Sequence, residues 1–369
     1  MSKDQRMTFT LLQAGRFVAA FMVVLYHCDK MLEQPKYYSY LPFGGLFDGG
    51  GLGVDFFFVL SGFVILTAHY SQIGRPERLR GYLVGRAIRI YPIYWIVAIA
   101  VLAPLYFVKT PFDTMIQSPA YLLKEFFLLP GDDNFVTVSW TLRHEVIFYV
   151  LFGALIFNST LGILVIGAWF IGSATIASHG SPSLVAGWLD LRNLQFLLGM
   201  AAAFVIHHHK IATPRSLLLL GGAGFAACYL YGGLIHGDLA RPGSPNVIVT
   251  AGLAAAIMIV ALVELERSHG WQAPPLLRYL GDASYAIYLV HFPLFTPLVW
   301  LARSQHWERF MPLQVLMALM AAAGVAAGVL LYQFVDRPLR DLLRRALRPR
   351  DAAPRAAPTP PPAFSENRG

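Results

Sequence analysis

Charge is what this sequence lacks. Only 14% of its 369 residues are Asp, Glu, Lys or Arg, against 56% hydrophobic, and so little polar surface cannot cover a soluble globule of this size. Cysteine is nearly absent as well. Cys28 and Cys228 are the only two, which excludes a disulfide framework and leaves both expected as small buried apolar residues. Long polar stretches are missing too: the longest connection between apolar runs is 109–139, so no soluble domain is expected and the chemistry should sit in or at a membrane. No small residues precede Cys28, which follows "LYH", so neither a cleaved signal peptide nor a lipoprotein site fits the first apolar run.

Long apolar runs fill the space. A span of about 17–25 residues crosses roughly 30 Å of hydrocarbon at 1.5 Å per residue. Such runs lie near 8–29, 51–70, 91–108, 140–157, 160–178, 192–207, 216–233, 246–264, 281–302 and 312–335. The expected fold is therefore all-α: a polytopic integral membrane bundle of about ten transmembrane helices. Only "FNSTLG" separates the fourth and fifth runs, predicting a tight helical hairpin. "SPAYLLKEFFLLPG", 118–131, is too short to span and carries Lys124 and Glu125, so an interfacial segment is expected there. Three parts follow: a transmembrane domain over 1–335, a basic juxtamembrane helix over 336–350, and a Pro-rich disordered tail over 351–369.

Orientation comes from the distribution of Lys and Arg, which are retained on the cytoplasmic side. They are more than twice as frequent in the alternate connections that share a side with the N-terminus, which places both termini in the cytoplasm. The net charge of +8 is largely this topological signal and gives no reason to expect nucleic-acid binding.

The few ionisable residues inside the runs can then be placed in depth. A charge in a spanning helix marks a buried site or a pathway more often than lipid contact. In "RFVAAFMVVLYH", Arg16 and His27 are eleven residues apart, about 1,100° of rotation, so they share one face about 16 Å apart along the axis. Arg16 falls in the inner half and His27 near the outer boundary. Asp55 in "GLGVDFFFVLSGFVI" and Glu145 in "SWTLRHEVIFYVLF" fall about one turn below the outer surface, so His27, Asp55 and Glu145 form an expected outer cluster. On the inner side, Arg86 and Arg89 are three apart on one helical face and with Arg16 make a candidate anion site, since the guanidinium fork matches phosphate oxygens. The same pair also satisfies the positive-inside rule, and both readings stand at this point.

Together, "LQAGRFVAAFMVVLYH", "GVDFFFVLSGFVI", "RAIRIYPIYW", "SWTLRHEVIFY" and "LGDASYAIYLVHFPL", in that order and followed by "FVDRPLR", resemble the membrane-bound acyltransferase-3 family. These are bacterial enzymes that resemble O-acetyltransferases of cell-surface polysaccharides. The chain departs from many members in its start, with Gln13 and Phe17 where Asp and a second Gly are common, a version that resembles the exopolysaccharide branch. It shows no counterpart of the hydrolase-like domain fused to some members, so it is expected to serve its acceptor unaided or to act on a lipid-linked precursor.

The resemblance implies acyl-CoA, most simply acetyl-CoA, as donor co-substrate. It implies a glycan or lipid-linked glycan hydroxyl as acceptor, and a bacterial inner-membrane location. In that frame Arg16, Arg86 and Arg89 hold the coenzyme's phosphates, and the extended arm reaches His27. An imidazole, with an ordinary pKa of about 6.5, suits a base or an acyl acceptor at neutral pH. Glu145 or Asp55 would orient it as a triad carboxylate does, with Glu145 favoured and a helix cap the alternative role for Asp55. A metal is not expected: His207, His208 and His209 point about 100° apart on a helix and sit at an inner helix end. His291 is read as a helix-packing hydrogen bond. Arg143 and His144 are read either as oxyanion or acceptor contacts or as interfacial snorkelling, and Gly53 and Gly62 as points of close helix approach. The rival reading is a multi-pass transporter whose buried ionisable groups line a translocation route, though the two halves share no evident similarity. A third keeps the enzyme and makes the acceptor a lipid or a small hydroxyl compound.

Overall fold

The computed structural model describes residues 9–105, 116–131, 134–179, 188–234 and 244–347. Among them every regular element is helical, and each of the ten apolar runs forms a helix. The long helices are α1 (Thr10–Glu33), α2 (Leu52–His69) and α3 (Leu79–Leu105), then, after a short α4 (Pro119–Phe126), α5 (Ser139–Phe157) and α6 (Ser159–His179). They continue with α7 (Asn193–His208), α8 (Pro214–Leu234), α9 (Pro245–His269), α10 (Pro275–Ser304) and α11 (Leu313–Leu331), and the chain closes with α12 (Arg337–Ala346). Among the described residues, eight helical stretches are long and apolar enough to cross a membrane, whereas α7, at 16 residues, is shorter. The tail 351–369 lies outside the described residues.

Two boundaries differ from the apolar runs, each for a local reason. α3 starts at Leu79, twelve residues before its apolar stretch, since "LRGYLVGRAIRI", despite Gly81 and Gly85, holds no proline to stop the helix. Arg86 and Arg89 are therefore part of the long helix itself. α11 does not stop at the membrane edge: it passes through a π-helical turn, Tyr332–Asp336, into α12, giving one helical run from Leu313 to Ala346. The wider π turn places Asp336 inward, 2.9 Å from Arg340. Such turns interrupt helices at functional places more often than elsewhere.

The helices pack in neighbouring pairs, α1 along α10, α2 along α7, α8 along α9, and α10 along α11. Close approach depends on small residues. A Cβ on Gly53 would strike the carbonyl oxygen of Ala19 on α1, and one on Gly62 would strike that of Phe196 on α7, so both glycines do what their positions suggest. The α5–α6 hairpin turns on Asn158 alone, whose Oδ1 accepts from Leu161 N at 2.9 Å. The start of α1 has no side-chain cap of its own. Glu266 at the end of α9 supplies one, accepting from Thr10 N at 2.8 Å and Leu11 N at 2.9 Å, a carboxylate on the positive end of a helix dipole.

The segment around α4 is tied inward rather than lying freely at an interface. Glu125 is fully buried and ion-paired with Arg143 of α5, which also donates to Gly131 O at 2.5 Å. Tyr94 and Trp95 of α3 donate to Glu125 O and Phe126 O at 2.7 and 2.8 Å. Cys28 is buried, while Cys228 is half-buried with its Sγ 3.4 Å from Thr250 Oγ1.

Candidate active site

Four helices that are distant in sequence bring four arginines and one glutamate to the wall of a single cavity of about 320 Å³. Arg16 comes from α1, Arg86 and Arg89 from α3, Glu145 from α5, and Arg344 from α12. Gln13, one turn before Arg16, accepts from its Nη1 at 2.9 Å and so fixes the side chain against α1. Arg86 and Arg89 rest on aromatic rings, 5.7 Å from the centre of Tyr149 and 6.0 Å from that of Tyr285. Cation–π contact of this kind holds a guanidinium in place without using its hydrogen-bonding fork. Tyr285 is itself pinned to α3, donating to Ile90 O at 3.0 Å. The arginines are thus pre-positioned, with donors left for an anion.

Glu145 belongs to this cavity. Its Oε1 accepts from Ser61 Oγ at 3.2 Å and from the Tyr149 hydroxyl, and Arg16 lies within its electrostatic range. The far wall carries Thr141 and Tyr288, whose hydroxyls are 2.8 Å apart, with Phe57 beside them.

His27 is not part of that lining. Its partner is His291 of α10, with Nδ1 of His27 2.8 Å from Nε2 of His291 and the rings stacked at 5.0 Å. Hydrogen-bond accounting sets the tautomers. His291 Nδ1 is 3.1 Å from Ile287 O, and a carbonyl only accepts, so His291 Nδ1 carries the proton and His291 Nε2 is an acceptor. His27 Nδ1 must then donate to it, which leaves a lone pair on His27 Nε2. The pair and the cavity are neighbours through one ring: Tyr288, on the cavity wall, has its centre 5.9 Å from that of His291.

The expected outer cluster of His27, Asp55 and Glu145 therefore needs correction. The hydrogen bonds of the three go to different partners. Asp55 accepts from Gln195 Nε2 at 2.5 Å, and Gln195 also donates to Ile248 O at 3.1 Å, so the carboxylate joins α2 to α7 and α9. It lies in the first turn of α2, whose N-cap residue is Gly51. Similar depth on separate helices does not fix azimuth, and α5 turns Glu145 toward the arginines while α10 turns His291 toward His27. His291, expected as a packing hydrogen bond, makes that bond to the very histidine singled out for chemistry. Its signal in the sequence was a lone imidazole mid-run in "SYAIYLVHFPL". Arg344 left only the signal of a basic terminal helix.

The other candidates lie outside the cavity lining. Arg143 pairs with buried Glu125, and His144 Nδ1 lies 2.9 Å from Asn193 Oδ1. His207, His208 and His209 are exposed, with His208 Nδ1 2.9 Å from Phe204 O.

Comparison with known proteins agrees with this architecture. A family model described as an acyltransferase domain matches residues 10–333. The exopolysaccharide production protein ExoZ of Rhizobium meliloti is 27% identical over 308 residues, covering 80% of this chain and 91% of that protein. The putative peptidoglycan O-acetyltransferase YrhL of Bacillus subtilis is 27% identical, and the peptidoglycan O-acetyltransferase OatA of Listeria monocytogenes 23%, each over 79% of this chain. The match covers 51% of each of those two proteins, so the chain spans about half their length. No solved structure matches the chain.

Proposed function

This chain belongs to the acyltransferase family and is a membrane-embedded O-acyltransferase, and on that premise we propose that it transfers an acetyl group from cytoplasmic acetyl-CoA to a hydroxyl of a surface polysaccharide or its lipid-linked precursor. The bilayer is the bacterial inner membrane, with the arginine end facing the cytoplasm as the positive-inside bias indicates. The observation that carries the reading is the cavity in which Arg16, Arg86 and Arg89 converge, one aromatic ring away from the His27–His291 pair.

The residues fit such a donor. Phosphates favour arginine forks held on rings and on Gln13, and the slim pantetheine arm suits a narrow cavity. On the continuous helix α1, His27 lies about 16 Å beyond Arg16, on the order of the length of that arm. At the outer end His27 Nε2 has the free lone pair to take the proton of the acceptor hydroxyl as its oxygen attacks the thioester carbonyl carbon. The C–S bond breaks as the C–O bond forms, and the thiolate leaves toward the cytoplasm. His291 accepts from the imidazolium formed on His27, holding its ring in one orientation where a triad would use a carboxylate. An acceptor of the exopolysaccharide type is favoured by the similarity to ExoZ over nearly the whole of that protein.

The test is mass analysis of surface and lipid-linked glycans from cells with and without this chain. Loss of one acetyl mass per repeat on deletion, restored by the wild-type chain and not by His27→Ala, is the expected result. An unchanged glycan profile with altered export of a solute would replace this reading with transport.

A further inference from the structure

The C-terminal helix contributes to the cavity through one residue. α12 continues the helical run beyond the π turn and packs against α3, whose Arg86 and Arg89 face the same space. Asp336, Arg340 and Arg344 recur every four residues, so they share a face of the helical run. Asp336 is buried and holds Arg340 at 2.9 Å, and Arg340 also rests over Tyr332 with 5.7 Å to its ring centre. This anchor sets the helix in place, and one turn further Arg344 reaches the cavity lining while its own side chain is exposed. It therefore stands at the mouth, whereas Arg16 and Arg89 stand within. Arg345, next in sequence, is exposed and outside the lining.

We propose that Arg344 is a recognition residue for the outermost phosphate of the donor, the ribose 3′-phosphate of coenzyme A, and that α12 is part of the donor site. This rests on the acyl-CoA reading of the cavity. The cavity lies at the low end of ligand pockets, which run about 300–1,000 Å³. An arm that enters thioester first leaves the adenosine at the entrance, with the diphosphate facing Arg16, Arg86 and Arg89. Four guanidiniums and Glu145 line the cavity, with Asp282 and Asp336 near its arginines, and the remaining positive charge suits a phosphate-bearing ligand. An alternative source of the same chemistry is the phosphate of an anionic lipid headgroup, to which basic juxtamembrane helices are drawn.

The experiment compares binding of coenzyme A and 3′-dephospho-coenzyme A to the full-length protein in nanodiscs of phosphatidylcholine alone, where no anionic lipid is present. Wild type is expected to prefer coenzyme A by about tenfold or more, as for one charge-assisted contact. Arg344→Gln should lose that preference by weakening coenzyme A alone. Its undiminished affinity for the dephospho form reports that the protein is folded. Arg345→Gln should behave as wild type. Arg16→Lys should weaken both ligands in parallel. If Arg344→Gln keeps the preference, or weakens both ligands equally, the proposal is overturned and α12 serves the lipid surface. If wild type binds neither ligand, the donor reading of the cavity fails first and this inference falls with it.

Discussion

His27 Nδ1 and His291 Nε2 stand 2.8 Å apart, joining α1 to α10, and Ile287 O decides from the far side of His291 which nitrogen of His27 keeps its lone pair. A neutral imidazole in that place orients His27 without placing a formal charge beside it. The arrangement predicts distinct outcomes for the two rings.

His27→Ala should leave the protein inserted and abolish acyl transfer. His291→Ala should lower kcat by about 10²- to 10⁴-fold, the range of general acid–base contributions, with the KM for the donor unchanged. His291→Gln, which can still accept from His27 Nδ1, should recover part of the loss. Steady-state kinetics with a soluble acceptor analogue separate these outcomes, and normal turnover in purified His27→Ala would remove the mechanism.

Arg16→Lys retains charge and loses the planar fork. Loss of one charge-assisted contact costs about 1.5–3 kcal/mol, roughly ten- to a hundredfold in affinity. The expected defect is weaker coenzyme A binding, with acceptor binding untouched. Single neutralisations of Arg86 and Arg89 should do the same. If both bind coenzyme A normally, their charge serves orientation only.

Glu145→Gln distinguishes the cavity position from a relay to His27. Removing a carboxylate that faces the arginines should tighten donor binding and slow release of coenzyme A, lowering KM and kcat together. A relay role predicts a fall in kcat alone. Measuring both constants decides between them.

Asp55 should prove structural. Asp55→Asn retains an acceptor for Gln195 Nε2 and should turn over normally, whereas Asp55→Ala leaves Gln195 unsatisfied and should cost about 1–3 kcal/mol of stability. Thermal melting in detergent beside an activity assay checks both. Loss of activity in a stable Asp55→Asn protein would return this carboxylate to the chemistry.

The buried Glu125–Arg143 pair offers a stability test away from the cavity. Arg143→Met strands a buried carboxylate and should destabilise by about 3–5 kcal/mol, and Glu125→Leu in the same chain should restore most of it. Melting curves of the single and double variants give the answer.

Much of this protein was legible in one dimension. The helices, the α5–α6 hairpin and the glycine contacts at Gly53 and Gly62 follow from lengths, hydropathy and residue size, because in hydrocarbon every backbone group must be satisfied within its own helix. Helical periodicity also placed Arg16 and His27 on one face about 16 Å apart along the axis, and Arg86 beside Arg89. What periodicity does not carry is the rotation of one helix against another. Glu145, Asp55 and His27 were expected at one depth, yet each could face any neighbour, and only packing turned Glu145 to Ser61 and the arginines, Asp55 to Gln195 and His27 to His291. Arg344 was hidden for the same reason. Its helix reads as basic and interfacial, and it reaches the cavity because the helical run continues through the π turn at Tyr332–Asp336 and packs α12 against α3, a long-range contact with no period in the sequence.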